Sequence, residues 1–228
     1  MNMLYFDYAA TTPLAPSVLD VMIKTLHSTS GWANANSIHS LGVEAKQLIH
    51  SSQNIVAESI QANPQSIYWT SGATESINLA IKGCADFYQR NGKHIISCIT
   101  DHSAALKPLK YLESCGFDIT LLAVDSNGNF PLSELENAIR DDTILISLCH
   151  VNNELGVVHP IDEISSIAQK KGVLLHIDAS QSIGKVKIDL SKSPVDFMSL
   201  SAHKAYGPKG IGALYISNNP KRHLTPLI

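Results

Sequence analysis

The sequence predicts an α/β fold, a three-layer sandwich whose mostly parallel seven-stranded sheet is covered by helices on both faces. Short apolar runs rich in β-branched residues alternate with longer stretches at helical spacing. Several runs, such as Ile144-Leu145-Ile146-Ser147-Leu148 and Val173-Leu174-Leu175-His176-Ile177, are almost continuously apolar, as strands are when both faces are buried. The 228 residues, 44% hydrophobic and 16% charged, are enough for one large domain with a substantial core.

An arm, Met1–Pro13, leads into a single domain over residues 14–228 that shows no internal repeat, low-complexity tract or linker. Ile38, Leu41, Ala45, Leu48, Ile49, Val56 and Ile60 fall near helical spacing and predict a helix within Ser37–Gln61. Strands are predicted at Ile67–Thr70, His94–Ile99, Asp118–Leu122, Ile144–Cys149, Val173–Ile177, Asp196–Leu200 and Gly212–Ile216. Ile161, Ile164, Ile167 and Ala168 predict a helix opening after Pro160. The Ser201–Ile211 connection is too short for a helical crossover, so the last strand should run antiparallel to its predecessor or pair elsewhere in the sheet.

Composition excludes several function classes. A net charge of −3 and no dense Lys/Arg run give no electrostatic footprint for direct nucleic-acid binding. The N-terminus lacks a basic region followed by an apolar one, and no apolar run is long enough to span a bilayer, so no membrane is expected and a cytoplasmic location is. Cys84, Cys98, Cys115 and Cys149 are scattered, which suggests neither a metal site nor a disulfide framework; most are expected to be buried, inert thiols.

In open α/β sheets ligands sit beyond the carboxyl ends of the strands, so the residues after each strand are the candidates for chemistry. After Thr70 come Ser71-Gly72-Ala73-Thr74-Glu75-Ser76, small residues opening a helix whose free N–H groups suit a phosphate, or simple capping. After Ile99 come Asp101 and His102. The imidazole could stack on a planar cofactor and carry protons, and Asp101 could cap a helix; both can hold at once. After Cys149 comes His150-Val151-Asn152-Asn153-Glu154, where an amide could bond a cofactor oxygen or a substrate carboxylate, or merely form a turn. Asp178 ends an apolar strand, where its carboxylate needs a cationic or hydrogen-bonding partner; a pyridinium N–H is one, and Gln181 could donate to a phenolic oxygen beside it. Ser201-Ala202-His203-Lys204 places an amine behind two possible phosphate donors in a tight Gly-rich loop. The set points to pyridoxal phosphate, with Lys204 as its Schiff-base lysine.

With these residues in place the chain resembles the cysteine desulfurases of the bacterial iron–sulfur and nitrogen-fixation type, within the class V aminotransferases of fold type I. The likeness runs from Tyr5 to the C-terminus. Its telling blocks are Phe6-Asp7-Tyr8-Ala9-Ala10-Thr11-Thr12-Pro13, Thr70-Ser71-Gly72-Ala73-Thr74-Glu75-Ser76, His150-Val151-Asn152-Asn153-Glu154-Leu155-Gly156, His176-Ile177-Asp178-Ala179-Ser180-Gln181 and Ser201-Ala202-His203-Lys204-Ala205-Tyr206-Gly207-Pro208-Lys209-Gly210. The resemblance implies a PLP-dependent transferase-like large domain and pyridoxal 5'-phosphate as cofactor. It makes Lys204 the Schiff-base lysine, Asp178 the pyridine-nitrogen partner, Gln181 the phenolic-oxygen donor and His102 the ring-stacking catalytic histidine. Ala73 falls in the phosphate turn, Thr74, Ser201 and His203 match phosphate anchors, and Asn153 matches the asparagine facing cofactor and substrate carboxylate.

In such enzymes L-cysteine gives L-alanine, and its sulfur passes to an enzyme cysteine and on to iron–sulfur scaffold or tRNA-thiolation proteins. The resemblance also implies a homodimer. The family's Gly-Asn-Pro-Ser-Ser segment reads Ala33-Asn34-Ala35-Asn36-Ser37 here, with Asn34 and His39 kept. The family's cross-dimer phosphate threonine, substrate arginine, nucleophilic cysteine and small domain are expected beyond Ile228. None of the four cysteines falls at the nucleophile position, although Cys149 should lie nearest the cleft. The alternatives are a catalytically incomplete binding module, half of a split enzyme, or an aminotransferase or other lyase on the same scaffold.

Overall fold

The computed structural model describes residues 4–218 and 220–227. Met1–Met3 of the expected arm, and Asn219 and Ile228 of the expected domain, lie outside the described residues. The strands are β1 (Ile67–Thr70), β2 (His94–Cys98), β3 (Asp118–Leu122), β4 (Thr143–Cys149), β5 (Leu174–Asp178), β6 (Phe197–Ser201) and β7 (Gly212–Ile216). The helices are α1 (Pro16–His27), α2 (Ser40–Ser59), α3 (Ala73–Tyr88), α4 (Ser103–Ser114), α5 (Leu132–Ala138) and α6 (Ile161–Lys171).

The strands form one sheet in the order β1, β7, β6, β5, β4, β2, β3. Pairings from β3 through β2, β4 and β5 to β6 are parallel, whereas β7 runs antiparallel to both β6 and β1. The short 201–211 connection therefore closes on the strand next door, as its length requires.

Alternation along the central strands makes two apolar faces. Ile96, Ile146, Leu175, Met198 and Ala213 point to one side, where they meet Ile60 at the end of α2, Leu135 of α5 and Ile164 of α6. Their sequence neighbours Ile95, Leu145, Leu174, Phe197 and Leu214 point to the other, against Ile77 and Ile81 of α3 and Leu109 of α4. Each fully buried Ile or Leu contributes roughly 1.5–3 kcal/mol of transfer free energy, so this double burial is what holds the three layers together. Truncating Ile146, which is fully buried, to alanine would cost about 2–5 kcal/mol.

Local chemistry sets the element ends and explains the one-residue differences from the sequence reading. The Val173 N–H closes the end of α6 on Ala168 O at 3.0 Å, so the following strand opens at Leu174. Gly172 supplies the left-handed residue, φ 69°, that this helix end requires. Asp196 stands outside β6 because its Oδ2 accepts the Leu175 N–H at 2.7 Å while Oδ1 accepts from Arg222 Nε at 2.5 Å. The predicted helix at Ser37–Gln61 starts at Ser40 because His39 Nδ1 caps it, accepting the Gly42 N–H at 3.3 Å.

Candidate active site

A cleft of about 810 Å³ lies at the carboxyl ends of the parallel strands. Residues following β1, β2, β4, β5 and β6 line it, together with Asp7, Ala9 and Ala10 of the arm. A second cavity, about 500 Å³, sits at the opposite end of the sheet; its Arg140 is already bound to Asp118 and Asp142, and its Arg222 to Asp196. Lys204, Asp178 and six other sequence-predicted residues gather at the first cleft.

Ala73 and Thr74 form the first turn of α3 and line the cleft. The first N–H groups of a helix have no intrahelical acceptor, so this turn presents donors and a positive dipole end. Gly72 precedes it at φ 156°, and a Cβ there would meet nothing within 4 Å. Beside it, a Cβ on Gly212 would strike Gly72 Cα at 2.7 Å, so a close backbone approach fixes glycine at 212. Ser201, ending β6, buries its hydroxyl, which has no partner among the described residues. A turn of free N–H groups beside open space, and a buried hydroxyl lacking an acceptor, fit a phosphate ester. Ser201 is the one predicted site residue that does not line the cleft.

His102 lines the cleft and is exposed. It is itself the cap of α4, its Nδ1 accepting the Ala104 N–H at 3.1 Å, so in the neutral ring the proton sits on Nε2. Asp101, expected as the cap, is turned inward instead. Its Oδ2 accepts from Ser97 Oγ at 2.7 Å and the Cys98 N–H at 3.0 Å, and its Oδ1 accepts the Cys149 N–H at 3.0 Å. Three inward-facing donors outcompete the helix end for a carboxylate.

Asp178 closes β5 and lines the cleft. Burial is the main force raising its pKa, and nearby Asp101 adds to it; bonds from Ser180 and the charge of Lys204 act the other way. Both Ser180 donors, its N–H at 2.9 Å and its hydroxyl, end on Oδ1. Oδ2 takes neither bond. Lys204 stands in the same cleft; burial pushes its pKa down, Lys185 pushes the same way, and Asp178 resists. A half-buried carboxylate and an amine biased toward its neutral, nucleophilic form thus share one cavity. That pairing suits a cationic heteroaromatic aldehyde bearing a phosphate.

Gln181 is buried, with Nε2 donating to Ala9 O at 2.6 Å and Oε1 accepting from Lys185 Nζ at 3.4 Å. Its amide therefore holds the arm in place at the cleft edge. Asn153 lines the cleft and donates through Nδ2 to Glu154 Oε1 at 2.8 Å. Its neighbour Asn152 is the buried one, spending its side chain on Thr100 O and on the N–H groups of Glu154 and Leu155. His203 lines the cleft with Nδ1 3.1 Å from Thr11 Oγ1, its pKa lowered by burial first and then by Lys204 and Lys209. Cys149 also lines the cleft, but burial, with Asp101 next, pushes its thiol far above the ordinary range.

The part of the site that sequence reasoning missed is the arm. Thr12, buried, joins the Lys204 loop through its N–H and its hydroxyl. The sequence signal was the Phe6–Pro13 block, which carried the resemblance without assigning Thr12 a role.

The aminotransferase class-V family pattern matches residues 4–228. A relative, cysteine desulfurase IscS of Shewanella loihica, is 51% identical over 222 residues, covering 97% of this chain and 55% of the relative. The solved structure of SspA in complex with cysteine is 43% identical with TM-score 0.94, covering 99% of this chain and 65% of that one. A NifS-like protein is 39% identical with TM-score 0.93, covering 99% of this chain and 61% of that one. The chain spans about half the length of the curated relatives it matches. The chain belongs to the class V aminotransferases, a family whose cofactor is pyridoxal 5'-phosphate.

Proposed function

We propose that this chain carries the cofactor-binding domain of a pyridoxal-phosphate-dependent cysteine desulfurase that takes L-cysteine to L-alanine. The observation that carries the reading is Lys204, its pKa lowered by burial, sharing one cleft with half-buried Asp178. When bound, pyridoxal 5'-phosphate supplies an electron sink for bond breaking in the amino acid. Asp178 would keep a proton on the ring nitrogen, and the α3 turn with Thr74, Ser201 and His203 would hold the phosphate. His102 would lie against the ring, and Gln181 and Asn153 would bound the phenolic and carboxylate side. Lys204 Nζ, biased toward its free-base form, would accept and return a proton.

Cysteine as substrate is supported by the relatives, one of them solved in complex with cysteine. The sulfur would pass to a thiol and then to an iron–sulfur scaffold or other sulfur-acceptor protein. Cys149 does not suit the role of that thiol, because burial holds it protonated and the thiolate is the nucleophile. Reduction with borohydride in the presence of the cofactor, followed by peptide mapping, should place the label on Lys204. Incubation of the unreduced chain with cofactor and cysteine should yield alanine. A label elsewhere, or none, sinks the reading.

The raised pKa values of Cys84, Cys98 and Cys149 favour a second reading, in which the chain alone binds cofactor without forming persulfide, as a binding module or half of a split enzyme. Labelled Lys204 with neither alanine nor persulfide would select it.

Self-association belongs to the same proposal, because α1 buries none of its residues and exposes Leu19, Val21, Ile23 and Leu26. Light scattering should find dimers, and a monodisperse monomer would argue against them. Four free thiols without a disulfide suit a reducing compartment, and we place the protein in the cytoplasm.

A further inference from the structure

We infer that Thr12 is a positioning residue for Lys204, its hydroxyl clamping the lysine loop on both sides at once. The inference rests on the reading of Lys204 as the cofactor lysine. Thr12 Oγ1 donates to His203 O at 2.9 Å, immediately before the lysine, and accepts the Tyr206 N–H at 2.8 Å, two residues after it. The Thr12 N–H donates to the same His203 carbonyl at 2.9 Å, and the Ala15 N–H donates to Tyr206 O at 3.0 Å. One side chain thus spans the segment that carries the amine, from a position 192 residues earlier in the sequence, counting from Thr12 to Lys204.

The loop needs such a clamp. Tyr206 sits at φ 60°, in the left-handed region that a bulky residue adopts only when its surroundings impose it. Its N–H and its carbonyl are both tied to the arm, to Thr12 and Ala15 respectively. Within the loop, the Ala205 and Gly207 N–H groups both turn back to Ala202 O at 2.9 Å, which fixes its inner curve and leaves its outer edge to the arm. The arm is held at its other end by Gln181, whose Nε2 donates to Ala9 O. Docking of residues 9–15 is therefore coupled to the place from which Nζ must reach an aldehyde carbon, where it forms the C–N bond with loss of one water.

The test compares Thr12→Val, which keeps shape and loses the hydroxyl, with Thr12→Ser, which keeps the hydroxyl. Pyridoxal 5'-phosphate reports Schiff-base formation on Lys204 by absorbance and borohydride trapping. Pyridoxine 5'-phosphate, whose alcohol cannot react with an amine, reports non-covalent binding alone. Thr12→Val should slow Schiff-base formation by roughly 10- to 100-fold and leave pyridoxine 5'-phosphate affinity unchanged, while Thr12→Ser behaves as the parent chain. Parallel losses on both ligands would mark a general structural role and overturn the positioning role. A parental rate in Thr12→Val overturns it too. Should that variant not fold, Thr12→Ala decides: it removes the hydroxyl without setting a methyl group against His203 O and the Tyr206 N–H, and an unchanged trapping rate would refute the clamp. Failure of the unchanged chain to trap cofactor on Lys204 overturns the cofactor reading and this inference together; the other failures overturn this inference alone.

Discussion

The carboxylate of Asp101, just past the end of β2, accepts the backbone N–H of Cys149 at the end of β4 at 3.0 Å. It also accepts from Ser97 Oγ and the Cys98 N–H, so one buried side chain ties two neighbouring strand ends at the floor of the cleft. Asp101→Ala would leave these three donors without their acceptor. Each buried unsatisfied donor costs about 1–3 kcal/mol, and partial relaxation lets some of that be recovered, so a loss of ~2–4 kcal/mol is expected in urea unfolding. A loss under about 0.5 kcal/mol, the range of an ordinary surface substitution, would refute the role.

Ser201→Ala separates binding from stability. The Ser201 hydroxyl is buried with no partner among the described residues, which costs the chain free energy unless a ligand supplies an acceptor. Removing it should leave the melting temperature of the cofactor-free chain unchanged or raised. The same change should weaken pyridoxal 5'-phosphate binding by roughly tenfold, the effect of losing one good hydrogen bond to a charged group. A lowered melting temperature with unchanged affinity would show that the hydroxyl serves the fold.

Much of this architecture was legible because burial leaves a pattern. Strands such as β4 are apolar on both faces, and the brevity of the 201–211 connection ruled out a helical crossover into β7, leaving an antiparallel neighbour, which is what forms, or a pairing elsewhere in the sheet. The residues around the cleft were legible because each follows a strand directly, and position along the chain then becomes position in space. What stayed hidden depends on contacts between distant segments. Asp101 reads locally as a helix cap, and only the neighbouring strand end reveals the donors that draw it inward. Asn152 and Asn153 are equivalent in sequence, yet the turn buries the first and faces the second to the cleft. Thr12 meets His203 only once the arm has folded back over the sheet.

Thiol reactivity should follow burial. Cys115 is exposed, whereas Cys84, Cys98 and Cys149 are buried, with burial the leading cause of their raised pKa values. An aromatic disulfide reagent should modify Cys115 quickly in the native chain and the other three only as it unfolds. Fast native-state modification of Cys149 would overturn its exclusion as a sulfur-accepting thiol.

Acid should destabilise the chain before its carboxylates titrate. Burial lowers the pKa of His150 to about 4, with His159 second, and that of His176 to about 3. His176 is neutral between Ser147 Oγ at 2.8 Å and Ser199 Oγ at 2.9 Å, in the middle of the sheet. An unfolded histidine titrates near 6.5, so below that pH the unfolded chain binds protons that the folded chain refuses. The stabilising contribution is full above about 6.5, declines as pH falls, and is exhausted near the folded values of about 4 and about 3. Each such histidine adds about 1.4 kcal/mol per pH unit to the slope within its window. The buried thiols, whose pKa values are raised, act at higher pH; Asp178, raised from the ordinary carboxylate range, has the opposite sign and offsets part of the slope, so the effect is read as the difference between His150→Asn and the parent chain. Chemical denaturation from pH 7 to pH 4.5 should show stability falling steadily, and His150→Asn should flatten that slope by up to one proton's worth. An unchanged slope in the variant would mean that His150 takes up its proton in the folded chain as readily as in the unfolded one.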